Sequence, residues 1–346
     1  MSPTQKVGIN FKLYFRSNNP LHLKLISATA TLLITFKSIL RFMNFNHPNL
    51  TRRKFIRTSS AMLGAANFSS LASAIEPIKR NGDHKFKYSL AAYSYRKLLQ
   101  GDPAEMSLYD FIDDCASFGL EGTELTSYYF PKEVTKEYLL SLKEHCFRLG
   151  LSISGTAVGN DFGHPEGDPK RQEQIAHVKT WVDHAAVMGA PTIRIFAGHT
   201  KKGQTKESSH KLMVSAIEEC CEYAGQRGVV LALENHGGPT ATSDGLMNFV
   251  KDVKSPWFAV NLDTGNFSSD DIYAELEEVA PYAMNVQVKV VTRNAERETM
   301  PTDFKRLGKI LKDSSYRGFV VLEYEESGDP RKESAHYLDI LREALA

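Results

Sequence analysis

The chain has 346 residues and carries 42 lysines and arginines against 41 aspartates and glutamates, a formal net charge of +1. A charge so near zero gives no field to gather nucleic acid or an anionic membrane surface, so no nucleic-acid partner is expected. The length exceeds an ordinary domain of roughly 100–200 residues, yet suits a single α/β barrel of about 250 residues behind an N-terminal extension.

Residues 1–74 read differently from the rest. Thr51-Arg52-Arg53-Lys54-Phe55-Ile56 precedes a weakly apolar stretch, residues 61–71, that ends in Ala72-Ser73-Ala74. Paired arginines, a short apolar run and small residues for a peptidase resemble a bacterial twin-arginine export signal. The expectation is a periplasmic or secreted protein with no stable membrane anchor once the leader is cleaved. The apolar stretch at 21–40 is interrupted by His22, Lys24 and Lys37, which leaves a core shorter than the roughly 20 residues a membrane span needs. Met43 would be a more ordinary start than Met1. Residues 75–85 read as a flexible linker to a domain spanning 86–346.

From Phe86 onward, strand-like runs alternate with helical ones. The expected strands are 87–92, 122–125, 152–156, 192–196, 229–233, 258–262, 285–289 and 319–322. Helical spacing marks 107–118, 136–149, 171–188, 208–226 and 303–312. Gly119, Gly150, Gly189, Gly228 and Gly318 stand where a helix end favours a left-handed residue. Eight βα units in succession predict a single-domain (β/α)8 TIM barrel with a parallel sheet. No GxGxxG follows the first strand and no GxxxxGK[ST] is present, which removes support for dinucleotide and P-loop folds. Cys115, Cys146, Cys220 and Cys221 show no CxxC spacing and read as buried thiols.

A barrel carries its chemistry at the C-terminal ends of its strands. Those ends hold Tyr93 and Tyr95, then Glu124, then Thr156 and Asn160, then Arg194, Phe196 and His199. The last four hold Glu234 with His236, Asp263 with Asn266, Gln287 with Lys289 and Arg293, and Glu323 with Glu325. Alternation along a strand puts Gln287 and Lys289 on one face. A lone acid at a strand end is usually solvated, but four oxygen donors at equivalent places on four successive strands predict a metal site of Glu234, Asp263, Gln287 and Glu323. An all-oxygen set favours Mn²⁺ or Mg²⁺, with Zn²⁺ or Co²⁺ as alternatives.

The segments AAYSYR, GTELTSYYFP, GAPTIRIF, LALENHGG, VNLDTGNF, VQVKV and YRGFVVLEYE resemble the xylose isomerase-like TIM-barrel family over about residues 86–345. That family includes sugar phosphate isomerases, ketose 3-epimerases, hydroxypyruvate isomerases, inosose dehydratases and endonuclease IV. In the epimerase branch the metal ligands are Glu, Asp, His and Glu. The resemblance carries these to Glu234, Asp263, Gln287 and Glu323, with glutamine in place of histidine. It also carries a substrate-binding arginine to Arg293, while Asn266 and Thr240 depart from the histidine and glutamate found there in relatives.

The resulting expectation is a metal-dependent isomerase or epimerase acting on a small sugar or keto-sugar through an enediolate. Glu234, Glu323 and Lys289 are the candidate catalytic groups; His236, Arg293, Glu124 and Asn266 are candidates for substrate binding. A dehydratase or lyase using the same intermediate and a non-catalytic sugar-binding barrel are the alternatives. Homo-oligomerisation is compatible with all three. A nuclease of the endonuclease IV type would need more histidines than the late strand ends supply.

Overall fold

The computed structural model describes residues 75–296 and 298–346. The expected leader and the choice between Met1 and Met43 lie outside these residues. Eight parallel strands close into a barrel in the order β1-β10-β7-β6-β5-β4-β3-β2. They are β1 (Lys85–Ala91), β2 (Gly122–Thr126), β3 (Ser152–Ala157), β4 (Thr192–Ile195), β5 (Val230–Glu234), β6 (Phe258–Asp263), β7 (Ala283–Lys289) and β10 (Arg317–Glu323). Each falls on an expected strand, shifted by at most two residues at either end. A short antiparallel pair, β8 (Val291–Arg293) with β9 (Thr299–Pro301), was not expected and follows β7 directly at the mouth.

The outer ring is α1 (Leu108–Ser117), α2 (Lys136–Arg148), α3 (Pro169–Met188), α4 (Lys206–Gly225), α5 (Ser243–Asp252), α6 (Ile272–Val279), α7 (Phe304–Asp313) and α8 (Pro330–Leu345). Their starts are chemical. Ser107 and Asp110 form a capping box on α1, and Asp168 and Asp329 cap α3 and α8 ahead of a proline at the first helical position. Helix α1 buries Leu108, Phe111, Ile112 and Cys115, the i, i+3, i+4, i+7 stripe of a core-facing helix. Phe111 meets the Tyr95 ring edge-on at 5.1 Å between centroids. Tyr95 is therefore turned into the barrel wall, away from the strand-end chemistry the sequence allowed it.

All four cysteines are buried and free, as expected. Gly119, Gly150, Gly189 and Gly228 take positive φ angles, as expected of helix ends. Gly318 does not: it lies inside β10, where a Cβ would meet the Tyr316 hydroxyl at 2.6 Å, and Ser315 (φ 53°) makes the left-handed turn after α7. The lead-in at 75–84 forms no strand or helix, yet it is tied beneath the barrel. Ile78 N donates to Pro281 O at 3.0 Å, and the Arg80 guanidinium lies over the Tyr316 ring at 5.2 Å. Among the described residues no helix is long and apolar enough to cross a membrane.

Register decides which side chains meet at the mouth. Between β6 and β7 the pairing shifts by one residue: Val260 sits opposite Ala283, but Asn261 sits opposite Asn285. Met284, skipped by the shift, points to the surface. Because side chains alternate, this single extra residue places Asn285 beside Asn261 and Gln287 beside Asp263. On the other flank, β10 pairs Glu323 with Lys289.

Candidate active site at the barrel mouth

Glu234 closes β5 and is 3 % exposed. Its Oε1 is 2.7 Å from His236 Nδ1 and accepts from Asn266 Nδ2 at 2.9 Å; its Oε2 lies 2.8 Å from Arg194 Nε. That last contact is an ion pair without hydrogen-bond alignment, since Nε has no bonded acceptor. Burial alone would raise the Glu234 pKa, but Arg194 and then His236 outweigh it and hold the group below the ordinary carboxylate value. Arg194 is itself fixed, donating from Nη1 to Val158 O at 2.7 Å and stacking over Phe196 at 4.1 Å. The His236 ring packs against Phe196, with 4.2 Å between ring centroids.

Asp263 closes β6 and is wholly buried. Asn235 clamps its backbone: Asp263 N donates to Asn235 Oδ1 and Asn235 Nδ2 donates to Asp263 O, both at 2.8 Å. Its Oδ1 accepts from Gly265 N at 2.8 Å. Its Oδ2 has no hydrogen-bond partner and lies 3.4 Å from Lys289 Nζ. Burial pushes this acid well above its ordinary pKa, and Lys289 offsets only part of that.

Glu323 closes β10. Its Oε1 accepts from Gln287 Nε2 at 2.9 Å, and its Oε2 pairs with Lys289, whose ammonium also meets Glu325 Oε1 at 2.8 Å. Burial again dominates, so Glu323 titrates above the usual range. Lys289 holds its proton more tightly than an exposed lysine: Asp263, Glu323 and Glu325 overcome the burial that would otherwise release it. Gln287 and Lys289 both reach Glu323, in keeping with their shared face.

Glu124, on β2, reaches across the barrel floor. It accepts from Gln287 Nε2 at 3.2 Å and lies 3.5 Å from Asn285 Nδ2. Burial and then Glu323 push its pKa up to about 8, so it is a neutral acid over most of the physiological range. Arg293 stands on β8 at the rim, lining a small opening with Gly265, Asn266, Lys289, Glu323 and Glu325. His199 lies outside the cluster. It is exposed and meets Asp161 at 3.3 Å, with Lys201 on the same carboxylate.

Of the residues singled out from sequence, the structure brings Glu234, His236, Asp263, Asn266, Gln287, Lys289, Glu323, Glu124 and Arg293 to one end of the barrel. It adds Arg194 and Glu325, seen at strand ends without a role, and Asn261 and Asn285, which were passed over. The missed signal was available: Asn261 and Asp263, and Asn285, Gln287 and Lys289, are polar residues two apart inside otherwise apolar strands, and so share the inward face.

The donor set suits a hard divalent cation in kind. Three buried carboxylates and one amide stand at the C-terminal ends of β5, β6, β7 and β10, one carboxylate oxygen is unpartnered, and burial raises the pKa of Asp263 and Glu323, so ionising them calls for positive charge nearby. In the arrangement described, Lys289 and Arg194 carry that charge. Among the described residues no three histidine, cysteine or acidic side chains are gathered around a single ion position. Gln287 turns its nitrogen, not its oxygen, toward Glu323.

Comparison with known proteins gives the lineage. A D-psicose 3-epimerase from Clostridium cellulolyticum H10, solved with D-tagatose, is 18% identical over 75% of this chain and 99% of its own, with a TM-score of 0.62. An L-ribulose 3-epimerase is 16% identical over 75% of this chain and 94% of its own (TM-score 0.61), and a 3-keto-D-glucoside 4-epimerase from E. coli 15% over 75% and 100% (TM-score 0.59). At these identities the likeness speaks for the fold. No curated protein matches by sequence. The family model described as "Xylose isomerase-like TIM barrel" matches residues 112–344, and the chain belongs to that family.

Proposed function

We propose that the protein is a sugar isomerase or epimerase that moves a proton next to a carbonyl of a small sugar or keto-sugar, with Mn²⁺ or Mg²⁺ held by Glu234, Asp263, Gln287 and Glu323. The observation that carries the proposal is the buried Asp263 Oδ2 without a partner, amid three further side chains that each bring oxygen to the same strand ends. The structural neighbours named above, two ketose 3-epimerases and a keto-glucoside epimerase, support the substrate class. When bound, the cation supplies Lewis acidity to neighbouring carbonyl and hydroxyl oxygens.

The protein's own groups divide the proton work. Glu234, paired with Arg194 and His236, is the base; Glu323, beside the Lys289 ammonium, is the acid. Glu234 takes the proton from the carbon beside the carbonyl, and Glu323 returns one. Return to the opposite face of the same carbon inverts a stereocentre, and return to the neighbouring carbon isomerises. His236, Asn266 and Arg293 at the mouth, with Glu124 buried below them, position substrate hydroxyls.

The dehydratase reading has one observation in its favour: Lys289 holds a proton at Glu323, where a departing hydroxyl could take it. A structural neighbour described as a probable 3-DHS dehydratase from Bacillus anthracis, 19% identical over 74% of this chain and 98% of its own with a TM-score of 0.58, shares the fold. Export through the paired arginines at 52–53 is part of the proposal, and points to a free or glycosidic sugar in place of a phosphorylated one.

The test is solvent deuterium exchange on a panel of ketoses and keto-glycosides with added Mn²⁺. Deuterium incorporated at the carbon beside the carbonyl, and lost in Glu323→Gln, is the expected result. No exchange with any member of the panel would remove the isomerase reading, and loss of water without exchange at recovered substrate would favour the dehydratase.

A further inference from the structure

Three amides run head to tail through the barrel interior. Asn285 Nδ2 donates to Asn261 Oδ1 at 2.8 Å, Asn261 Nδ2 donates to Gln287 Oε1 at 2.8 Å, and Gln287 Nε2 ends the run on Glu323 Oε1 at 2.9 Å and Glu124 Oε1 at 3.2 Å. All three are at most 3 % exposed. The register shift at Met284 is what sets Asn285 beside Asn261 and so completes the run.

Oxygen and nitrogen of a carboxamide are nearly the same size, so each group can turn by half a revolution without repacking. One amide cannot turn alone. Gln287 reversed by itself would aim its N–H groups at those of Asn261, leaving both buried donors without acceptors, a situation interiors avoid. The run therefore has two directions: the one described, in which Asn285 Nδ2 also lies 3.5 Å from Glu124 Oε2, and a reversed one that needs a cation or a proton at the carboxylates to meet the amide oxygens turned toward them. In the one described, Gln287 offers N–H to Glu323 and Glu124; in the other it offers its oxygen.

We propose that Asn261 and Asn285 are positioning residues that set which atom of Gln287 faces the carboxylates, and that the three amides reverse together when a divalent cation arrives. The inference rests on the cation reading above. A cation attracts the amide oxygen and repels its N–H groups, so it favours the reversed run; Lys289, a cation that pairs with Glu323 and Glu325 instead, leaves the present one in place. Cation affinity is thereby coupled to two side chains outside the ligand set.

The experiment titrates Mn²⁺ into chelator-stripped protein and counts free ion by electron paramagnetic resonance. An ionised aspartate accepts hydrogen bonds and does not donate, so at a pH where the ¹³C shift of the new carboxyl shows it ionised, Asn261→Asp and Asn285→Asp both force the reversed direction, and each is expected to tighten Mn²⁺ binding roughly tenfold. The same substitutions in a Gln287→Leu background measure the added charge alone, because no amide is left to orient there. A gain confined to the Gln287 background supports the relay, and equal gains in both backgrounds overturn it. As a second readout, the Gln287 side-chain ¹⁵N resonances of the wild type shift on adding Mg²⁺ if the N–H groups leave their carboxylates; unchanged resonances with bound Mg²⁺ overturn the reversal. Wild-type protein that binds no Mn²⁺ sinks the cation reading together with the relay, whereas binding without amide dependence sinks the relay only.

Discussion

The two halves of the barrel interior settle their polar groups differently. Across β1 and β3, Ser89 Oγ and Ser154 Oγ satisfy each other at 2.8 Å and the Thr156 hydroxyl donates to Leu125 O at 2.6 Å, so these polar groups are small and neutral; the acid of this side, Glu124 on β2, reaches over to Gln287 on β7. On the β5, β6, β7 and β10 side, Glu234, Asp263 and Glu323 are buried acids held by Arg194 and Lys289, with one oxygen left over. Proteins do not bury an excess of carboxylates for stability, because removing a charge from water costs more than pairing returns. The small polar groups of the first half close their hydrogen bonds within it; the second keeps more buried carboxylates than the cations that pair with them.

Substitutions on the charged side sharpen the contrast most. Glu234→Gln should reduce deuterium exchange by about 10²–10⁴ while leaving the circular dichroism spectrum unchanged, the usual worth of one positioned base. A wild-type exchange rate in that variant would place the proton transfer elsewhere. Lys289→Met should destabilise metal-free protein by about 3–5 kcal/mol in denaturant unfolding, since it strands Glu323 beside Asp263. Added Mn²⁺ should recover much of the loss. Recovery by Na⁺ alone would mean that simple screening suffices.

Glu124 gives the next, pH-dependent effect. Its folded pKa of about 8 lies above the ordinary 4.5, so the folded state keeps a proton that the unfolded chain releases. The stability it contributes is full below the unfolded value and is lost as pH rises through about 8. In chelated protein, wild-type thermal midpoints should therefore fall from pH 5 to pH 8.5 relative to Glu124→Gln; parallel curves would show that the acid ionises freely. The smallest change is expected on the neutral side. Ser89→Ala should cost only about 1 kcal/mol and leave exchange activity unaltered.

The same contrast explains what the sequence disclosed. Strands were legible because VVLALE, FAVNLD and FVVLE are short apolar runs bounded by turns, and α1, α2, α3, α4 and α7 from their helical spacing; α5, α6 and α8 were not among the expected helices, although Thr242, Asp271 and Asp329 cap them. The four donors were legible because each stands at or near the end of such a run. The amide run was not, since it depends on Met284 being skipped in the pairing of β6 with β7, and one-residue slips leave no mark on a hydrophobic pattern. Nor was the β8–β9 pair, three residues to a strand and too short to show alternation. Tyr95 misled because strand-end position alone does not fix which way a side chain turns.

Anomalous diffraction at the manganese edge, from crystals of the chelated protein soaked in Mn²⁺, tests the central claim most directly. The account predicts one strong peak about 2.0–2.6 Å from an oxygen of each of Glu234, Asp263, Gln287 and Glu323. A mouth without a peak, or manganese held only at surface acids away from these four, would contradict it.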